Sequence, residues 1–207
     1  MPTATHAIGD AAVRHVLAAI EAAPALAAPH RIEHLETLPA ELVPAFVRHK
    51  VVASMQPTHC SRYTVAEQTD NWSVRLGPRR AGRAWRCRDL HEAGVPVALG
   101  SDWPVAPYDA RTVLADAQLC RPAGSPDIAP VVPAQALTAL MALQGYTTHA
   151  AHAAGESHRS GRIAPGLRAD LTAFTLDPLR ADPDELAQAP IAMTVVAGRL
   201  VHRDPTV

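Results

Sequence analysis

The feature that most constrains how this chain can fold is an alternation: short apolar segments, each followed by a stretch of helical pattern. Residues 95–99, Val-Pro-Val-Ala-Leu, form the clearest apolar run, and Gly100-Ser101-Asp102-Trp103-Pro104-Val105 follows at once. Residues 51–56 and 31–34 read as strands in the same way. Thr5-His6-Ala7-Ile8 leads into a helix that Asp10 caps and Pro24 stops, with Val13, Val16, Leu17 and Ile20 on one face. Such alternation predicts parallel βα units, because a parallel strand needs a crossover to bring the chain back to the same sheet end. In parallel α/β folds the loops at the C-terminal strand ends carry the chemistry. His6, His34 and Asp102 stand at three of those ends.

Between these runs the sequence predicts a helix over 39–49, kinked or divided at Pro44. Residues 58–78 read as a long polar connection of the lid or disordered kind, and 79–92 as a single helix with Gly94 beyond its end. Helices follow at 111–120 and 133–154, the second broken at Gly145. From Gly155 the pattern turns β-rich. A strand over 169–174 precedes a hairpin that joins 191–196 to 200–202 across Gly198-Arg199. The expected division is therefore a barrel-like part over 1–155 and a β-rich segment over 156–207.

The chain has 207 residues, 48% hydrophobic and 19% charged, which suits an ordinary globular protein with a sizeable core. A net charge of −1 gives no electrostatic reason for nucleic acid or an anionic membrane as partner. The arginines at 79, 80, 83, 86 and 88 read as a solvated helix face. No apolar run reaches the ~20 residues of a membrane span, and the N-terminus carries no signal-peptide pattern. Cys60, Cys87 and Cys120 are odd in number and lack CxxC spacing, so reduced thiols and a cytoplasmic location are expected.

Of the two histidines flanking the 31–33 strand, His34 lies at its C-terminal end and His30 at its N-terminal end, so His34 is preferred for the site. Glu33 faces the other way by strand alternation. Gln56, His59 and Trp103 are candidates for substrate contact, Trp103 and Tyr108 as a pocket wall. His149, His152 and His158, in an alanine-rich helical stretch, read as surface histidines.

The ordered motifs His-Ala-Ile-Gly-Asp (6–10), His-Arg-Ile-Glu-His (30–34), Ser-Met-Gln-Pro (54–57), Gly-Ser-Asp-Trp-Pro-Val (100–105), Gly-Arg-Ile-Ala-Pro-Gly-Leu-Arg-Ala-Asp-Leu (161–171) and Val-Ala-Gly-Arg-Leu-Val (196–201) resemble the amidohydrolase superfamily. The nearest branch is the type-3 amidohydrolases, which include N-substituted formamide deformylase-like enzymes. The resemblance implies a metal-dependent (β/α)8 TIM barrel with a small β-sandwich, and one or two divalent ions, often Zn2+. It implies His6 and His34 as metal ligands after the fifth and sixth strands. Asp102 would be the ligand after the eighth strand and the catalytic proton carrier. It also implies hydrolysis of a C–N bond in a small amide- or formamide-type substrate. A His-x-His pair, expected after the first strand, is missing from this sequence, as is the bridging lysine or acid. The expectation is a C-terminal half, strands five to eight, that works with a missing N-terminal half or as a homo-oligomer. The alternative is an inactive remnant or interaction module.

Overall fold

The computed structural model describes residues 1–24 and 26–206 and has a mixed α/β fold. Strand β1 (Ala4–Ala7) leads to helix α1 (Asp10–Ala22), and β2 (Arg31–His34) to a 3-10 turn and α2 (Val43–His49). Strand β3 (Val52–Met55) is followed by α3 (Pro57–Tyr63), α4 (Asn71–Leu76), α5 (Pro78–Ala81) and α6 (Cys87–Glu92), and then by β4 (Val97–Leu99). The four strands pair in parallel, in the order β1-β2-β3-β4, with His6 level with Glu33 and Ala53 level with Val97. β3 and β4, enclosed on both faces, read as near-continuous apolar runs, whereas β2 alternates and β1 is largely exposed. Ile32, Val52, Ala53, Met55 and Val97 are almost wholly enclosed, with Phe46 and Leu90 packed in from the helices.

Three expectations are corrected here. The 58–78 stretch is largely helical: Pro57 sits at the first helical position, where its fixed φ and missing N–H cost nothing, so it starts α3 instead of only ending β3. Asp70 then caps α4 by accepting from the Ser73 amide at 2.8 Å. The 79–92 helix is two short helices, because residues 82–86 leave the helix to bury Trp85 and to bridge Ala84 to Thr37. Asp10 is the first residue of α1 rather than its cap, and its carboxylate pairs with Arg83 at 2.7 Å.

Helix α7 (Ala110–Leu119) follows the β4 loop, and then come a 3-10 turn at Pro133–Gln135, α8 (Ala139–Tyr146) and α9 (Thr148–Ala153). The 133–154 stretch leaves the helix twice, at 136–138 and at Thr147, and not at Gly145. Gly145 lets α8 lie directly on β4: a Cβ there would stand 2.5 Å from Leu99 Cγ and 3.1 Å from the Val97 carbonyl oxygen. Gly145→Ala is therefore expected to destabilise the fold by about 1–3 kcal/mol through overpacking, despite the better helix propensity of alanine. Chemical denaturation of the two proteins checks this.

The second sheet, β5 (Leu171–Phe174), β6 (Ile191–Val196) and β7 (Arg199–Arg203), is antiparallel in that order. The hairpin turn is Ala197-Gly198, one residue earlier than the sequence reading, with φ of 49° and 78° as a tight two-residue turn requires. β7 is exposed throughout, Leu200 and Val201 included. Helix α10 (Pro183–Gln188), between β5 and β6, buries Leu186 in the main core and is tied to the end of α7 by the Arg121–Asp184 ion pair at 2.6 Å. No helix among the described residues is long and apolar enough to cross a membrane.

Candidate metal centre

At the C-terminal ends of the parallel strands lies a cleft of about 350 Å3, lined by His6, His34, Glu36, His59, Trp72 and Asp102 among others. A larger cavity, about 770 Å3, lies between α8, α9 and the second sheet, but its lining offers no histidine or cysteine. Size does not mark the site; chemistry does.

Each donor is placed by a strand end. His34 closes β2 with φ of 77°, Leu35 follows at 52°, and Asp102, three residues beyond β4, has φ of 56°. Left-handed backbone at residues other than glycine costs about 1–3 kcal/mol each and persists where the surroundings impose it, commonly at functional sites. The Asp102 loop is held from two sides: the Gly100 amide extends the parallel ladder to the Met55 carbonyl at 3.1 Å, and the Tyr63 hydroxyl donates to the Val105 carbonyl.

One donor atom each from His34, His59 and Asp102 lies within 4.8 Å of the others, and these residues form the one such group among those described. His34 is buried, and its Nδ1 lies 3.1 Å from Gln56 Oε1, a bond in which Nδ1 donates and which, in the neutral ring, puts the lone pair on Nε2. That Nε2 lies 2.6 Å from His6 Nδ1. His59, on the first turn of α3, stacks on the His34 ring at a centroid distance of 6.1 Å. Its Nδ1 is 4.0 Å from Glu36 Oε1, and its buried Nε2 has no partner in hydrogen-bond geometry. Burial pushes the His59 pKa below the usual imidazole value, with the Asp102 charge and the nearby Ser101 backbone acting against it. Burial raises the Glu36 carboxyl, opposed by the Trp72 indole, which donates to Glu36 Oε2 at 2.8 Å.

The structure thus brings together His6, His34, His59 and Asp102. Gln56 stands behind His34, and Trp103 projects outward, 66% exposed and edge-on to Tyr108 at 6.4 Å. His30 sits at the far end of β2, bonded to Thr3. His149 is not a surface residue: it is half-buried against His91, with Nδ1 beside the Val97 backbone, because α9 packs onto β4. Glu36 and Trp72 were not singled out from sequence. Glu36 lies beyond the end of β2, after the left-handed His34 and Leu35, so strand alternation gives no signal for it, and Trp72 lies in a stretch that reads as loop.

The sequence model of the Amidohydrolase family matches residues 1–202. The chain belongs to this family. Among curated proteins, YtcJ of Bacillus subtilis (strain 168), an amidohydrolase by name, is 31% identical over 204 residues, 98% of this chain and 37% of YtcJ. An uncharacterized metal-dependent hydrolase from Pyrococcus horikoshii OT3 superposes with a TM-score of 0.73 at 26% identity, covering 88% of this chain and 35% of that one. An amidohydrolase from Thermotoga maritima MSB8 shares the fold, with a TM-score of 0.67 at 20% identity over 99% of this chain and 44% of its own. The chain therefore spans less than half the length of each of these relatives.

Proposed function

We propose that the cleft binds a divalent metal ion and supports hydrolysis of a C–N bond in a small amide- or formamide-type substrate. The observation that carries this reading is the convergence of His34, His59 and Asp102 within 4.8 Å at the ends of parallel strands. Membership of the Amidohydrolase family supports it. Nitrogen and carboxylate donors suit Zn2+, and the unpartnered Nε2 of His59 is the kind of buried atom that an ion explains. His34 and Asp102 would hold the ion, with His6 beside them. A divalent ion there supplies Lewis acidity to a carbonyl and makes water more acidic. Asp102 takes the proton of the attacking water on a carboxylate oxygen. The water oxygen bonds the carbonyl carbon, the C–N bond breaks, and Asp102 returns the proton to the leaving nitrogen, giving an acid and an amine. Gln56 keeps His34 in the required tautomer.

The finer architecture we propose is the C-terminal half of a (β/α)8 barrel over 1–155 with β5–β7 as strands of a small β-sandwich over 156–207. Support comes from the strand order, with one edge of β1 and one edge of β4 unpaired among the described residues, and from the exposed faces of β7. Unpaired backbone at a sheet edge seeks a partner, so a complementary N-terminal half or a second copy would close the sheet. The three free, buried cysteines agree with a reducing cytoplasm, and the near-neutral charge with small-molecule rather than nucleic-acid or membrane partners.

The test is hydrolysis of simple N-acyl and formamide substrates, followed as amine release by the chain supplied with the N-terminal half of a longer relative. Chelation is expected to abolish turnover and Zn2+ to restore it. Equal turnover with and without metal would overturn the reading.

A further inference from the structure

His59 stands in the sequence as a candidate for substrate contact, yet its surroundings are those of a held ligand. The residue is 6% exposed, its Nδ1 faces Glu36 Oε1 at 4.0 Å, and its Nε2 is buried without a partner. The second oxygen of Glu36 is fixed by the Trp72 indole at 2.8 Å, and Trp72 is backed by Trp85 at a ring-centroid distance of 4.9 Å. A substrate-contacting side chain in an open cleft is solvated when substrate is away. A buried imidazole nitrogen with no partner carries a standing desolvation cost, which a permanent ligand removes. A carboxylate 4.0 Å from one ring nitrogen, just outside hydrogen-bond reach, and a free lone pair on the other supply the groups of the carboxylate–histidine–metal arrangement, in which the outer acid fixes the tautomer and raises ligand basicity once it closes on the ring.

We infer that His59 is itself a protein ligand of the ion, through Nε2, with Glu36 and Trp72 as the pair that positions it. The inference rests on the metal reading of the cleft. It gives the site a third ligand from helix α3 beside His34 and Asp102, the count of a catalytic zinc centre with one position open. The single lone pair of His34 Nε2 cannot serve the ion and the His6 ring together, so the 2.6 Å contact between these two nitrogens gives way when the ion is bound.

Calorimetric titration of the metal-free chain with Zn2+, and visible absorption of its Co2+ form, test this on wild type, His59→Phe and Glu36→Gln. Phenylalanine keeps a ring in the buried slot and removes the donor; glutamine keeps the acceptor for Trp72 and removes the charge. His59→Phe is expected to lose more affinity than the about 10–100-fold typical of an outer partner, and to change the Co2+ band. Glu36→Gln is expected to lose about 10–100-fold and keep the wild-type band shape. If His59→Phe does not fold, Glu36→Gln decides alone: wild-type affinity in that variant would overturn the inference. Wild-type affinity and spectrum in both variants would remove His59 from the ion while leaving the metal site. A wild-type chain that binds neither metal would overturn both.

Discussion

In the chain supplied with the N-terminal half of a longer relative, Asp102→Asn is expected to lower kcat/KM for amide hydrolysis by about 10²–10⁴-fold, the range associated with loss of a positioned proton carrier. The substitution is chosen for what it leaves alone. Asn has the volume of Asp and is one of the few residues that tolerates the left-handed backbone, so the φ of 56° at position 102 is retained. The loop stays anchored by the Gly100–Met55 and Tyr63–Val105 bonds, neither of which uses the carboxylate. What disappears is a negative charge within 4.8 Å of the His34 and His59 donors, together with the oxygen that accepts a proton from water. The melting temperature should therefore hold while turnover and metal affinity fall. Steady-state kinetics beside thermal unfolding separates the two, and undiminished turnover in a folded variant would remove Asp102 from the chemistry.

The second large effect is expected from closing the parallel sheet. Alone, the 207-residue chain should elute larger than a monomer in size exclusion with light scattering, because β1 and β4 each leave a ladder edge open. Its turnover should stay well below the ~1 s⁻¹ at the low end for enzymes. Adding the N-terminal half of a longer relative should raise turnover by about 100-fold or more, since even a ~1 Å misplacement of reacting groups costs that much. A monodisperse monomer with a cooperative melt and full turnover on its own would contradict both expectations.

Much of the site's frame was legible before any coordinates. Residues 52–55 and 97–99 announce themselves as apolar runs because both faces of those strands are buried, while Arg31-Ile32-Glu33-His34 shows only alternation; His34 and Asp102 fall at the C-terminal ends. Periodicity was less informative where tertiary contacts decide local structure. Pro57 reads equally well as a strand terminator and as a helix start, and only packing shows that α3 begins there and carries His59 into the cleft. Trp85 interrupts an apparently continuous helix because burying an indole outweighs one more helical turn. Gly145 suggested a break, whereas its role is contact with Leu99. The partnership of Glu36 with Trp72 spans 36 residues and leaves no local signature.

The most direct measurement is anomalous diffraction at the zinc edge from crystals of the chain grown with Zn2+. A single strong peak is expected between His34, His59 and Asp102, within bonding distance of a nitrogen of each histidine and an oxygen of the aspartate, about 2.0–2.2 Å. A peak at His91 and His149 instead, or a crystal with zinc in its medium and no peak in the cleft, would contradict the assignment of this cleft as the metal centre.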